Sequence, residues 1–379
     1  MKKYLILCAS ALLALAACSK VAPVAEPQRE IGFQVATYAT KAGEKPILDD
    51  TVFGSYSWYT NEAGTTVEQM INEKVGKVGK EWKTTENTFY WPKSGSIDFI
   101  SYSPWVAGGP SEVSTTSLKF TGYSVGKVEN GVFTSNGADL MYADKALDQT
   151  ENGTKYVDIS EVTSGVPTLF HHALANVSFK IQANFLEYAD PMDASKKTTW
   201  TVTLKSAKLG GVYTKGDLAL TADADEAAWT KPANDVWTNL ADPIAPELVP
   251  DGKPFNLTSK TAVPEQKPTD LSAFGYVIPQ PLGADQTLTL VMDIVTVQPN
   301  GVTFTQPDKE FTVRLSTGKD KDGNAISAWK MNQKIVYTIL IKPTLGSDPG
   351  NPDTPEDDII TYDPAAVDWE VIEGATIQI

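Results

Sequence analysis

Apolar residues recur at every second position along most of this chain. Ile31, Phe33 and Val35 alternate with Gly32, Gln34 and Ala36, which is the period of a strand with one buried face. Residues 52–58 mix β-branched and aromatic side chains in the same way. Residues 82–91, 97–102 and 140–143 are the next expected strands, by the same pattern and composition. Residues 168–181 read as one long strand, with Ala175, Val177, Phe179 and Ile181 on a shared face. Residues 200–206, 288–297, 302–304, 311–315 and 335–341 continue the series. One segment departs from it. In residues 66–75, Val67, Met70, Ile71 and Val75 fall at helical spacing, so this stretch is expected to be the single helix.

Polar stretches rich in Pro and Gly punctuate the pattern. Residues 19–30 form a tether without an apolar face. Residues 243–268 hold six prolines and little periodicity, and are expected to be an extended excursion rather than a domain linker. Residues 344–358 are rich in Pro, Gly and Asp and cannot pack. Beyond them the alternation returns: Val367, Trp369 and Val371, then Ala375, Ile377 and Ile379. A strand of this kind, isolated behind a flexible acidic linker, has an open edge and calls for a partner. No short repeat runs through the chain.

The first residues carry chemistry of their own. Lys2 and Lys3 precede an apolar run at 4–15, and Leu15-Ala16-Ala17-Cys18 follows. That is a secretory signal over residues 1–17 with a lipoprotein cleavage box, and the run is too short to span a bilayer. Cys18 becomes the lipidated N-terminus, so the expected location is a membrane surface outside the cytoplasm, reached through the lipid. Cys8 leaves with the signal. The only two cysteines are thus consumed, and the folded part holds neither disulfide nor thiolate chemistry.

Charge and histidine content narrow the remaining functions. The net charge of −15 disfavours nucleic acid as a partner, because phosphates are repelled. His171 and His172 are the only histidines. On a strand they point to opposite faces, which suits neither a metal centre nor a triad. No G-x-S-x-G elbow is present. Residues 319–324 lack the spacing of a calcium loop, and Asp322-Gly323 marks a hairpin turn instead. Most of the nine tryptophans fall at strand positions, where core packing explains them better than glycan binding. No carboxylate pair stands out for glycoside hydrolysis. The expectation is therefore no enzyme, no metal and no cofactor.

Several segments together resemble the fimbrillins of Bacteroidales, the subunits of type V pili. They are the lipobox, Ile31-Gly32-Phe33 leading to Thr40-Lys41-Ala42, Phe53-Gly54-Ser55-Tyr56, and Trp91-Pro92 followed by residues 97–104. Residues 139–143 and 170–179, Val277-Ile278-Pro279-Gln280-Pro281, and Trp329 through Ile339 complete the set. Asn332 stands where a glycine is more usual, and asparagine tolerates the left-handed conformation of such a turn. The resemblance implies an all-β fold of two tandem transthyretin-like β-sandwich domains, at 42–183 and 184–343. The acidic linker 344–358 and a donor-strand segment at 359–379 would follow them.

The resemblance also implies the outer membrane as the location of the lipidated precursor, and an assembly route. A trypsin-like protease removes residues 18–41, taking away the lipid and the first strand. The opened groove then accepts a strand from another fimbrial subunit. Lys41 is the expected cleavage site, with Arg29 as the alternative. Cutting at Arg29 releases the lipid but leaves Ile31, Phe33 and Val35 in place. Val367, Trp369, Val371, Ala375, Ile377 and Ile379 are the expected donor residues. Losing the first strand exposes unpaired backbone and an apolar trench, and a foreign strand repairs both. Head-to-tail contacts of this kind propagate as a filament. A tip adhesin or a permanently lipidated surface protein binding host protein or glycan is the other expectation. Asp50-Thr51-Val52 matches a short O-glycosylation sequon of these bacteria.

Overall fold

The computed structural model describes residues 29–37, 51–129, 132–154, 165–183, 188–190, 193–229, 237–249, 253–257, 269–271, 275–298, 300–318, 324–341, 360–364 and 370–371. Among them every regular element is a β-strand, apart from one 3₁₀ turn at Leu315–Thr317. No described helix is long and apolar enough to cross a membrane.

The first sheet closes on itself. Its path runs from Met141–Ala143 to Val166–His172, Phe33–Thr37, Glu81–Thr84, Thr66–Val78, Phe53–Thr60 and Ser96–Ser103. Met141–Ala143 pairs with Ser96–Ser103 as well as with Val166–His172, which completes the ring. The short strands Ala146–Thr150 and Gly153–Thr154 extend from Ser96–Ser103. Inside the ring lies a core of Ile31, Phe33, Phe53, Met70, Trp82 and Phe99 with their neighbours. Ser96–Ser103 is buried along nearly its whole length, with Ile97 and Phe99 in the ring's core and Ile100 and Tyr102 in the packing outside it.

Outside the ring, Trp58, Ile100 and Tyr102 pack with Leu118, Phe120, Leu218, Leu220 and Trp237. These latter residues come from a four-stranded sheet, ordered Trp237–Ile244, Val212–Thr221, Ser117–Ser124 and Glu112–Ser114. A third core lies between two further sheets. One carries Ala175–Ala183 parallel to Gln333–Ile341. The other runs Tyr188–Asp190, Asp193–Gly210, Thr287–Val297 and Thr303–Arg314.

Three expectations need correction or refinement. Residues 66–75 are not helical but belong to the strand Thr66–Val78. Against Phe53–Thr60 the register slips by one residue at two places, and Asn72 takes φ 53°. These bulges insert extra residues and break the strand period. Met70 and Val75 both reach the core, although they are an odd number of positions apart, while Val67 and Ile71 face solvent. The apolar spacing thus imitated a helix.

The expected single strand at 168–181 is two strands, Val166–His172 and Ala175–Ala183, broken at Ala173–Leu174. The first belongs to the closed sheet and the second pairs with Gln333–Ile341. The chain therefore changes sheets upstream of the expected boundary at 183/184. Conversely, the two short strands expected at 302–304 and 311–315 are one strand, Thr303–Arg314. Asn332 adopts φ 61°, the left-handed turn foreseen for it.

Candidate strand-exchange groove

The strand Phe33–Thr37 is the piece of the closed sheet with the most consequence. It runs parallel to Val166–His172 over five registers, from Phe33 opposite Val166 to Thr37 opposite Phe170. On its other side it meets Glu81–Thr84 in antiparallel fashion at Phe33 and Trp82. Upstream, Ile31 N donates to Phe89 O at 2.9 Å, and Trp91 N donates to Arg29 O at 3.0 Å. Glu30 bridges Tyr90, and its carboxylate pairs with Lys83 Nζ at 3.1 Å. Among the described pairings nothing else joins Val166–His172 to Glu81–Thr84. Taking this strand out would open the ring and unpair the backbone along the five registers of Val166–His172 and at Trp82, which is costly away from water.

Side chains make the seat deeper than the backbone alone would. Ile31 and Phe33 are 1% and 3% exposed. The Phe33 ring lies edge-on to Phe53 at 5.5 Å and to Phe99 at 5.8 Å. Phe53 in turn meets Phe170 at 5.3 Å and Trp82 at 5.9 Å, and Trp91 meets Phe99 at 6.0 Å. Val35 packs against the same core, while Gln34 is exposed. Burying Ile31 and Phe33 contributes about 1.5–3 kcal/mol each. Arg29, Glu30 and residues 32–35 also form one wall of an open cleft, with Lys80, Trp82, Trp91, Glu151, Gly153 and Gly165 among the other lining residues.

The expected residues are thus partly brought together. Ile31, Phe33 and Val35 pack against the core of the closed sheet. Arg29 is at its upstream end, with its carbonyl bonded to Trp91. Lys41 and Cys18 lie outside the described residues, as do Val367, Trp369, Ala375, Ile377 and Ile379. Val371 falls within the strand Glu370–Val371, which pairs in parallel with Gln333 and Lys334. Ile360–Pro364 pairs antiparallel with the same strand, from Ile341 back to Tyr337. Both described stretches therefore pair with the strand Gln333–Ile341 of their own chain. The sequence did not reveal the aromatic seat of Phe53, Trp82, Trp91 and Phe99, because its members meet only through tertiary pairing.

The other candidate chemistry resolves into packing. His171 Nε2 lies 3.0 Å from Asp144 Oδ2, and His172 Nδ1 lies 2.6 Å from Asp139 Oδ2. Each ring has its own carboxylate, on opposite sides of the strand. The described residues contain no group of three or more His, Cys, Asp or Glu able to hold a metal. Trp58, Trp82, Trp91, Trp200, Trp229, Trp237 and Trp329 are all buried, so they are core residues and not a glycan platform. The turn expected at 319–324 lies mostly outside the described residues.

The described residues build an all-β fold in which the strand Phe33–Thr37 completes a closed sheet. The fimbrillin-like family model matches residues 40–356, and the chain belongs to that family, which is one of fimbrial structural proteins and not of enzymes. Among solved structures, it is similar to a fimbrial protein from Bacteroides vulgatus at 18% identity and a TM-score of 0.50, covering 90% of this chain and 99% of that one. It also aligns with the fimbrial anchor protein Mfa2 from Porphyromonas gingivalis at 11% identity and a TM-score of 0.30, over 91% of this chain and all of that one. None of the curated proteins matches it in sequence.

Proposed function

We propose that this protein is a structural subunit of a cell-surface fimbrium, assembled by β-strand exchange. The observation that carries the reading is the position of Phe33–Thr37. It is one link of a closed sheet, and its Phe33 side chain and the neighbouring Ile31 are buried. In this reading the chain is exported with its signal at 1–17 and lipidated at Cys18, which holds the precursor at the outer membrane. A trypsin-like protease cuts after Lys41, removing residues 18–41 with the lipid and the N-terminal strand. A segment of the next subunit, drawn from residues 359–379, then fills the vacated track by strand addition. Because donor and groove are different surfaces, the contact repeats head to tail and a filament grows. The filament serves adhesion and biofilm formation, and its partners are other fimbrial subunits.

The expected ranges 42–183 and 184–343 share one sheet, because Ser117–Ser124 pairs with Val212–Thr221, so in this reading the two sandwich domains are joined by a common layer. The pairing of Ile360–Pro364 and Glu370–Val371 with Gln333–Ile341 suits a resting monomer whose donor is parked on its own edge. The competing reading, a tip adhesin or a permanently lipidated protein binding glycan or host protein, keeps the N-terminal strand in place. Its support is the same strand's seating on both sides and the Glu30–Lys83 ion pair.

Deletion of residues 375–379 tests the reading. The truncated chain is expected to fold, to be cut by trypsin, and to remain monomeric while the full chain polymerises. Filaments of normal length from the truncated chain would sink it.

A further inference from the structure

We infer that Gly165 is a positioning residue for whichever strand occupies the groove, acting on the strand's main chain and not on its side chains. The inference rests on the strand-exchange reading. Gly165 lies immediately before Val166, where the parallel ladder with Phe33–Thr37 begins. Val166 N donates to Gly32 O at 2.8 Å, so the first rung of that ladder is fixed here. A Cβ placed on Gly165 would stand 2.6 Å from both the carbonyl carbon and the oxygen of Gly32, and 2.8 Å from Phe33 N. Real Cβ atoms do not approach so closely. All three atoms belong to backbone, which cannot swing aside as the end of a flexible side chain can.

The geometry on the other side of this contact is different. A Cβ on Gly32 would meet only Trp82 O, at an ordinary 3.6 Å. The two glycines face each other, yet only one of them is required to be glycine. Gly165 also holds φ +132°, a conformation that L side chains rarely adopt. The track is therefore permissive about the residue at position 32 and strict about position 165. A replacement strand forming the same ladder brings its own main chain to the same place, whatever its sequence. Gly165 sets how deeply a strand seats and where its hydrogen bonds begin. Discrimination between strands is left to the pockets that hold Ile31 and Phe33.

The test compares wild type, Gly165→Ala and Gly32→Ala in the full-length chain. Amide hydrogen exchange is followed in peptides covering residues 33–37 and 53–60. Gly165→Ala is expected to speed exchange in 33–37 by about tenfold or more, as strain of this kind does, and to leave 53–60 unchanged. Gly32→Ala is expected to match wild type. Each chain is then treated with a trypsin-like protease and offered a labelled synthetic peptide with the sequence of residues 29–37. Wild type and Gly32→Ala are expected to take it up, and Gly165→Ala to do so about tenfold less well or worse. Wild-type exchange and uptake by Gly165→Ala would overturn the inference. So would global loss of cooperative unfolding, which would make Gly165 a requirement of the fold. A cleaved wild type that takes up no peptide would instead overturn the strand-exchange reading, and the exchange rates of the intact chains would still decide whether Gly165 seats the N-terminal strand.

Discussion

Phe33→Ala removes the side chain on which the seating of the N-terminal strand most depends. Phe33 is 3% exposed and sits edge-on between Phe53 and Phe99. Truncating a buried phenylalanine costs about 3–5 kcal/mol, the larger values applying where the surroundings cannot collapse into the space. Here the walls are strands of a closed sheet and large rings, so little collapse is available. If the strand opens as a local unit, that energy falls on the opening equilibrium alone. At about 1.4 kcal/mol per factor of ten, the open population rises roughly a hundredfold to a few thousandfold. Amide exchange in residues 33–37 reports the opening directly, and trypsin cleavage next to the strand reports it independently. Gln34→Ala, at an exposed position of the same strand, is expected to change neither. Opening raised by less than about tenfold would refute the reasoning. A uniform rise across the whole closed sheet would also refute it, because the strand would then not be separable from its neighbours.

Three further outcomes follow from the geometry. Burial pushes Tyr102, Tyr123 and Tyr276 up to about 12 from an ordinary 10.0. Between those values the folded chain holds protons that the unfolded chain releases, so stability is expected to fall as pH rises from 10 to 12 and not before; denaturation midpoints that stay flat across that window would contradict it. A Cβ on Gly54 would stand 2.3 Å from Cε1 of the buried Tyr102 ring, so Gly54→Ala is expected to cost about 1–3 kcal/mol in urea unfolding, and an unchanged midpoint would show that the ring moves. Thr303–Arg314 lies at the edge of its sheet, interrupted by Pro307 and by a bulge with Asp308 at φ 50°. Such interruptions blunt edge-to-edge pairing, so Pro307→Thr combined with Asp308→Thr is expected to produce concentration-dependent association in light scattering, and a chain that stays monomeric would assign the interruptions another role.

Much of the architecture was legible because strand period and burial coincide. The alternation of Ile31, Phe33 and Val35 named the inward face of the N-terminal strand correctly. The segment expected as a strand at 97–102 lies within Ser96–Ser103, which is buried on both faces. Legibility failed where backbone irregularity or distant partners decide the outcome. The bulges in Thr66–Val78 shift Met70 and Val75 onto one face, and a local pattern cannot distinguish that from a helix. The break at Ala173–Leu174 carries the chain from one sheet to another, yet both sides keep their alternation, so nothing in the sequence marks the change. Gly165 was invisible for the opposite reason: its requirement comes from the backbone of residues far upstream. The aromatic seat around Phe33 joins residues from several strands, and only their pairing brings them together.

The most direct test of the central claim is the N-terminal residue of the protein sheared from intact cells, read by mass spectrometry. The account predicts a chain that begins at Ala42, without lipid and without the strand that holds Ile31 and Phe33. A chain that begins at lipidated Cys18 would contradict it, because the groove would then remain filled by its own strand and no neighbour could enter.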